Sequence, residues 1–232
     1  MYESLNLKLV VKLALKTGEL NKLDWDNKLT MEFNGKRPCI SSIEIAKAED
    51  QITVFWAGNS TVVDQSAEPW ASWGQMITRF FKPGVAIANH AESGLTLASF
   101  KGQHRLEKIL SIIKPGDYLF IEFGHNDQKM KGKNDGAWKS YTENLKYFIH
   151  EVKKKKANAV VVTSTSRRRF DKMGNTINTL GDFPAAARKV ALDEQVPIID
   201  LNKIAQFNEF TVKVEIYFEE KNRDQSINLW EC

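Results

Sequence analysis

Ser60, Gly94 and Asn126 are residues of this chain whose types and placement suit acyl transfer, and the run Arg167-Arg168-Arg169 suits binding of a carboxylate-bearing substrate. A serine hydroxyl can attack an acyl carbon, and the oxyanion that develops needs hydrogen-bond donors aimed at it. The backbone N–H groups of Ser60 and Gly94 and the side-chain amide of Asn126 are candidate donors. An amide suits this task because it donates without carrying a titratable charge. Each residue taken singly has a plainer reading. A serine just past a strand is often a turn or helix-cap residue, and Asn126-Asp127 could bond its own backbone in a turn. The case for chemistry rests on where the sequence puts them together.

Each polar cluster follows a short apolar run. Ile52 to Ala57 stops at Gly58 and leads to Asn59-Ser60; Val85 to Asn89 leads to His90-Ala91-Glu92-Ser93-Gly94. Asp117 to Phe123 leads to Gly124-His125-Asn126-Asp127-Gln128, and Ala159 to Thr163 leads to Ser164-Thr165-Ser166 and the three arginines. Unbroken runs of this length, rich in β-branched and aromatic residues, read as strands buried on both faces. Helical patterns separate them. Trp70, Trp73, Ile77 and Phe80 share one helical face, as do Leu106, Ile109, Leu110 and Ile113, and Trp138, Tyr141, Leu145, Phe148 and Val152. Phe183 to Glu194 reads as a further helix and Val196 to Leu201 as a fifth strand. Alternating strands and helices imply a parallel sheet with right-handed crossovers. Four polar clusters on its carboxyl edge define a crevice, the place where open α/β sheets bind ligands.

The flanks differ. Residues 1–49 show period-two alternation (Leu5, Leu7, Leu9, then Leu29, Met31, Phe33) and an Asn34-Gly35 turn, which predicts a short antiparallel β-rich segment, part of a β-sandwich. Residues 51–205 form the α/β domain. From residue 206 the pattern breaks, and Phe210 to Phe218 alternates like a strand where a doubly wound domain would normally close with a helix.

The chain has 232 residues, 42% hydrophobic and 27% charged, with a net charge of +4. These values fit a globular chain. The charge is too mild to argue for nucleic acid, and no apolar stretch nears the roughly 20 residues of a membrane span. No signal peptide is visible at the N-terminus. Cys39 and Cys232 are expected to be free thiols. The basic run Lys153 to Lys156 reads as a solvated helix terminus at the negative end of the dipole.

Gly58-Asn59-Ser60, Gly94 and Gly124-His125-Asn126-Asp127 resemble the first three blocks of the SGNH (GDSL-like) hydrolases. Longer stretches, Pro69 to Met76, Asn89 to Gly94, Phe123 to Lys129 and Arg167 to Phe170, are similar to the rhamnogalacturonan acetylesterase branch, and the likeness spans about residues 51–205. The segment Leu29 to Ile45 looks like what precedes the esterase domain in such proteins. The resemblance implies a three-layer, flavodoxin-like α/β fold with a five-stranded parallel sheet in order 2-1-3-4-5. It implies Ser60 as nucleophile, an oxyanion hole from Ser60, Gly94 and Asn126, no cofactor or metal, and removal of acetyl groups from pectic polysaccharide. It also suggests a secreted or periplasmic protein.

Two departures stand out. The family has Asp before the serine, whereas this chain has Asn59, which keeps an acceptor and loses the charge. The family's last block, Asp-x-x-His, has no counterpart among the four histidines, His90, His104, His125 and His150. The base histidine is therefore unassigned, and the domain reads as an esterase lacking its last functional segment, which leaves a catalytically impaired carbohydrate-binding relative as the alternative. Asn59-Ser60-Thr61 is formally a glycosylation sequon, of little weight inside a crevice.

Arg167, Arg168 and Arg169 fit an acidic polysaccharide, because a guanidinium forks a carboxylate in a bidentate way. An ordinary basic loop fits them equally well. Trp56, Trp70 and Trp73 could stack sugars, but their spacing favours core packing. A lipid or thioester hydrolase ranks lower because no apolar lid is evident. A nucleotide binder ranks last because no Gly-rich phosphate loop opens the first helix.

Overall fold

A computed structural model describes residues 51–205, apart from 66–68, 83, 168 and 175, together with the backbone of 214–216 and 227–229. The expected β-rich segment 1–49, both cysteines and most of the tail lie outside the described residues.

Five parallel strands form the sheet: β1 (Ile52–Gly58), β2 (Val85–Asn89), β3 (Tyr118–Phe123), β4 (Asn158–Thr163) and β5 (Ile198–Ile199), in the order β2-β1-β3-β4-β5. This is the flavodoxin-like order that the resemblance implies. The alternation of side chains along each strand splits the core in two. Phe55, Ala57, Leu119, Ile121, Phe123 and Val161 face α2 (Leu97–Gly102), α3 (Arg105–Leu110), α4 (Thr142–Lys154) and α5 (Phe183–Asp193). Val54, Trp56, Phe120, Val160 and Val162 face the other layer, which includes α1 (Trp73–Ile77) and α6 (Leu201–Ile204). Trp56 is fully buried, with the rings of Trp73 and Phe120 edge-on to it at 5.1 and 4.6 Å. It is a core residue and offers no sugar-stacking face.

Several elements differ from the sequence expectations, each for a local reason. Trp70 does not join the face of Trp73. Ser72 caps the helix, its Oγ accepting from Gln75 N at 3.0 Å, so the helix begins after it and leaves Trp70 72% exposed. The pattern around Leu106 hid a second helix. Thr96 and Ser99 form a capping box that starts α2 ahead of α3. Ile113 lies beyond the end of α3 although it is buried. Trp138 sits in a wide π-type turn, Ala137–Tyr141, and is 53% exposed rather than on the apolar face of α4; its Nε1 donates to Asp182 Oδ2 at 3.0 Å. β5 is only two residues long because Asp200 turns the chain into α6, its carboxylate accepting from Lys203 N. In the tail, β6 (Val214–Ile216) pairs antiparallel with β7 (Ile227–Leu229). No described helix is long and apolar enough to cross a membrane.

Candidate active site

The turn after β1 is built by Asn59. Its backbone carbonyl accepts from Val62 N and Val63 N, both at 3.0 Å, and its side-chain Oδ1 accepts from Thr61 N at 3.2 Å. This folds the chain back on itself and leaves Ser60 exposed at the carboxyl edge of the sheet. The hydroxyl of Ser60 makes no hydrogen bond to any described residue, while its carbonyl accepts from Gln65 Nε2 at 2.9 Å. The turn is braced from two sides. Asn89 Nδ2 donates to Val62 O at 2.6 Å and to Asp64 Oδ1 at 2.9 Å. Gly74 of α1 lies flat against Val62, with no room for a Cβ. Asn59 is completely buried and its Nδ2 has no hydrogen-bond partner among the described residues. The position where the resembled family carries aspartate therefore holds a donor that no described residue receives.

The loop after β2 carries Gly94, which is exposed and has φ +83, a conformation that a side chain would strain. Arg105 holds this loop, its guanidinium donating to His90 O and to Glu92 Oε2, both at 3.2 Å. Leu95 then meets the turn after β3, where Asn126 Nδ2 donates to Leu95 O at 3.1 Å and Lys129 Nζ donates to Asn126 Oδ1 at 2.7 Å. Asp127 ties the same two segments. One carboxylate oxygen accepts from Leu97 N at 2.9 Å and the other from Gly124 N at 3.0 Å. Its bond to Gly124 is the turn-internal bond that the plainer reading foresaw. The bond to Leu97 goes further and anchors the first residue of α2.

Burial pushes the Asp127 carboxyl up to about 6, against the lowering effect of these backbone donors. His125 moves the other way. Burial, followed by the positive charges of Arg167 and Lys129, pushes it down to about 4. Its ring is neutral near neutral pH, and its Nε2 is buried without a hydrogen-bond partner among the described residues. His90 is buried, whereas His104 and His150 are exposed, the latter with Nε2 2.7 Å from Glu194 Oε2. None of the four is hydrogen-bonded to Ser60.

Arg167 is exposed at the start of a hairpin, where its N–H donates to Thr179 Oγ1 at 2.8 Å and an antiparallel bridge joins Phe170 to Thr176. Arg169 is exposed in the same hairpin, and Arg168 lies outside the described residues. The charge of Arg167 reaches His125, which brings the β4 loop and the β3 turn to one place. Among the described residues no group of three or more histidine, cysteine or carboxylate side chains could hold a metal.

Glu122 is a site residue that the strand-end pattern does not single out. It is the one charged residue in Tyr118–Phe123 and is buried in the middle of the sheet. Thr61 Oγ1 and Ser164 Oγ both hydrogen-bond its carboxyl group. Burial raises its pKa, against the lowering effect of these bonds. A lone acidic residue inside an otherwise apolar strand was the signal for it. Arg188 and Asp200 were also missed. Their side chains pair through Nε at 2.7 Å and Nη2 at 3.0 Å and close the end of β5.

This arrangement presents an exposed hydroxyl, a positive-φ glycine and an oriented amide on one sheet edge, an arrangement suited to acyl transfer. Known proteins resemble this chain in sequence and fold to different extents. Residues 52–213 match the GDSL-like lipase/acylhydrolase family. Over 152 residues the chain is 43% identical to the rhamnogalacturonan acetylesterase RhgT of Bacillus subtilis (strain 168), a match covering 65% of each protein. It is 31% identical over 101 residues to the rhamnogalacturonan acetylesterase of Emericella nidulans, covering 44% of this chain and 39% of the relative. The chain thus spans less than two thirds of the length of these two relatives. The crystal structure of the Bacillus subtilis protein YxiM superposes with a TM-score of 0.62 at 29% identity, over 67% of this chain and 45% of that one. The acetyl xylan esterase AlAXEase shares the fold, with a TM-score of 0.53 at 18% identity, over 67% of this chain and 80% of that one. A family match across most of the chain leads to one conclusion: this chain belongs to the GDSL-like lipase/acylhydrolase family.

Proposed function

We propose that this chain is a serine ester hydrolase that removes acetyl groups from a pectic polysaccharide of the rhamnogalacturonan type. The observation that supports the reading is an exposed Ser60 just past the carboxyl end of β1, on the sheet edge where β3 leads to an Asn126 amide whose orientation is fixed by Lys129 and Leu95. The substrate class is supported by the relative named as a rhamnogalacturonan acetylesterase, at 43% identity.

In this reading Ser60 Oγ adds to the acetyl carbonyl carbon. The carbonyl oxygen takes the negative charge and receives donors from Ser60 N, Gly94 N and Asn126 Nδ2. Collapse expels the sugar alkoxide, which takes up the proton that Ser60 Oγ loses on attack, and leaves acetyl-Ser60; water then adds to the acetyl carbon, returns a proton to Ser60 Oγ and releases acetate. Arg167 and Arg169, with Arg168 beside them in sequence, pair with uronate carboxylates. Acetate release from acetylated rhamnogalacturonan is the test. The full chain releases acetate, and Ser60→Ala stops it. Equal release by the two proteins would overturn the assignment of Ser60.

One observation favours a second reading. No histidine is hydrogen-bonded to Ser60 among the described residues, so the hydroxyl lacks a visible proton acceptor there. A chain that binds the polysaccharide without turning it over would keep its affinity in Ser60→Ala and release no acetate.

A further inference from the structure

Glu122 stands where three chain segments meet. In the sheet it is opposite Gly58 of β1 on one side and Val162 of β4 on the other. Its Oε2 meets Thr61 Oγ1, in the turn that carries Ser60, and its Oε1 meets Ser164 Oγ, in the loop that leads to Arg167. Ser164 Oγ also lies 3.0 Å from Phe123 O and packs beside Gly124, where a Cβ would come within 3.2 Å of it. One carboxyl group therefore joins the ends of β1 and β4 across β3.

We propose that Glu122 is a positioning residue for Ser60: its buried carboxyl group ties Thr61 to Ser164 and so holds the Ser60 turn in register with Gly124 and the arginine loop. The functional part of this inference rests on the reading of Ser60 as nucleophile. The Thr61 and Ser164 hydroxyls each hydrogen-bond one oxygen of this buried carboxyl group, whose pKa burial raises. A glutamine side chain keeps both ties, its oxygen accepting from Thr61 and its nitrogen donating to Ser164 Oγ, whose own hydroxyl then donates to Phe123 O. A leucine of similar size cannot.

Two measurements on the full chain test this, in wild type, Glu122→Gln and Glu122→Leu. The first is amide hydrogen exchange. In Glu122→Leu, exchange across residues 59–63 accelerates about tenfold or more while α4 is unchanged, and Glu122→Gln stays near wild type. Unchanged exchange in Glu122→Leu, or equal acceleration in Glu122→Gln, overturns the proposal. The second is the rate at which a fluorophosphonate modifies Ser60, whose Oγ displaces fluoride from phosphorus. This rate falls roughly tenfold in Glu122→Leu and is restored in Glu122→Gln. A rate that is equal in all three overturns the positioning of Ser60. If none of the three is modified while exchange changes as stated, the nucleophile reading fails and the tie between Thr61 and Ser164 stands. Should Glu122→Leu not fold, Thr61→Val and Ser164→Ala each remove one partner, and each should accelerate the same exchange about threefold or more. No acceleration in either overturns the proposal.

Discussion

Lys129 Nζ donates to Asn126 Oδ1 at 2.7 Å, while Nδ2 of the same amide donates to Leu95 O at 3.1 Å. An ammonium group can only donate and a carbonyl can only accept, so the two neighbours together fix which end of the amide is which. One Nδ2 hydrogen is committed to Leu95, and in the proposed reading the other serves the oxyanion. Replacing Lys129 by Met removes a charge-assisted bond and frees the amide to turn. Acetate release should fall about tenfold, and Asn126→Ala should cost about 100-fold or more. Equal activity in Lys129→Met and wild type would show that the amide is held without it.

Gly74→Ala should be among the most damaging single-atom additions to this domain. The new Cβ would collide with the Val62 carbonyl, which belongs to the braced turn after β1 and cannot swing aside like a side-chain end. A loss of about 3 kcal/mol in urea unfolding is expected. Ser60 should lose reactivity with it, because the displaced segment is the one that carries Ser60. Unaltered stability would mean that α1 can shift away freely.

Asp127 and His125 should oppose each other in the pH dependence of stability. The Asp127 carboxyl titrates at about 6 in the fold, against a reference of 3.8. The fold therefore binds its proton more tightly, and that contribution, about 3 kcal/mol at most, is present below pH ~4 and lost as pH rises through ~6. His125 titrates at about 4 against a reference of 6.5. The fold disfavours its charged form, so its contribution is present above pH ~6.5 and lost as pH falls toward ~4. Across this window His125→Gln should make stability fall more steeply with rising pH, and Asp127→Asn should do the reverse. Urea unfolding at several pH values between 4 and 7 gives the slopes. Slopes equal to wild type in both variants would refute the assignment.

Arg188 guards the end of β5. Burial opposes ionisation of Asp200, but hydrogen bonds from Arg188, Thr163 and Lys203 N hold its carboxyl below the usual value. Arg188→Leu should cost about 1–3 kcal/mol at pH 7. A depressed carboxylate contributes stability above its unfolded pKa and loses it on acidification, so the cost should shrink as pH falls below ~4. The same cost at both ends of the range would assign the effect to packing of the arginine stem.

The strands and their polar ends were legible because short apolar runs that stop at glycines or polar residues leave little choice of structure. The run Ile52 to Ala57 appears in the fold as read, while Gly58 remains in β1 and the turn comes one residue later, at Asn59. Boundaries set by side-chain caps were less legible. Ser72 starts α1 late enough to leave Trp70 outside it, and the Thr96–Ser99 capping box uses serine where a longer polar residue is the usual sign. β5 was overestimated because Asp200 takes the chain into α6.

The order of residue types along the chain was enough to determine a parallel α/β sheet with Ser60, Gly94, Asn126 and the arginines at the ends of successive strands. That information is local: periodicity, strand length and turn chemistry act over a few residues. Which residues hold these groups in place was decided by tertiary structure alone. Glu122 touches Thr61 and Ser164, 61 and 42 residues away, and Asp127 reaches Leu97 across 30. Contacts at such separations depend on the order of strands in the sheet, and a buried carboxyl acquires its partners only when that sheet closes around it.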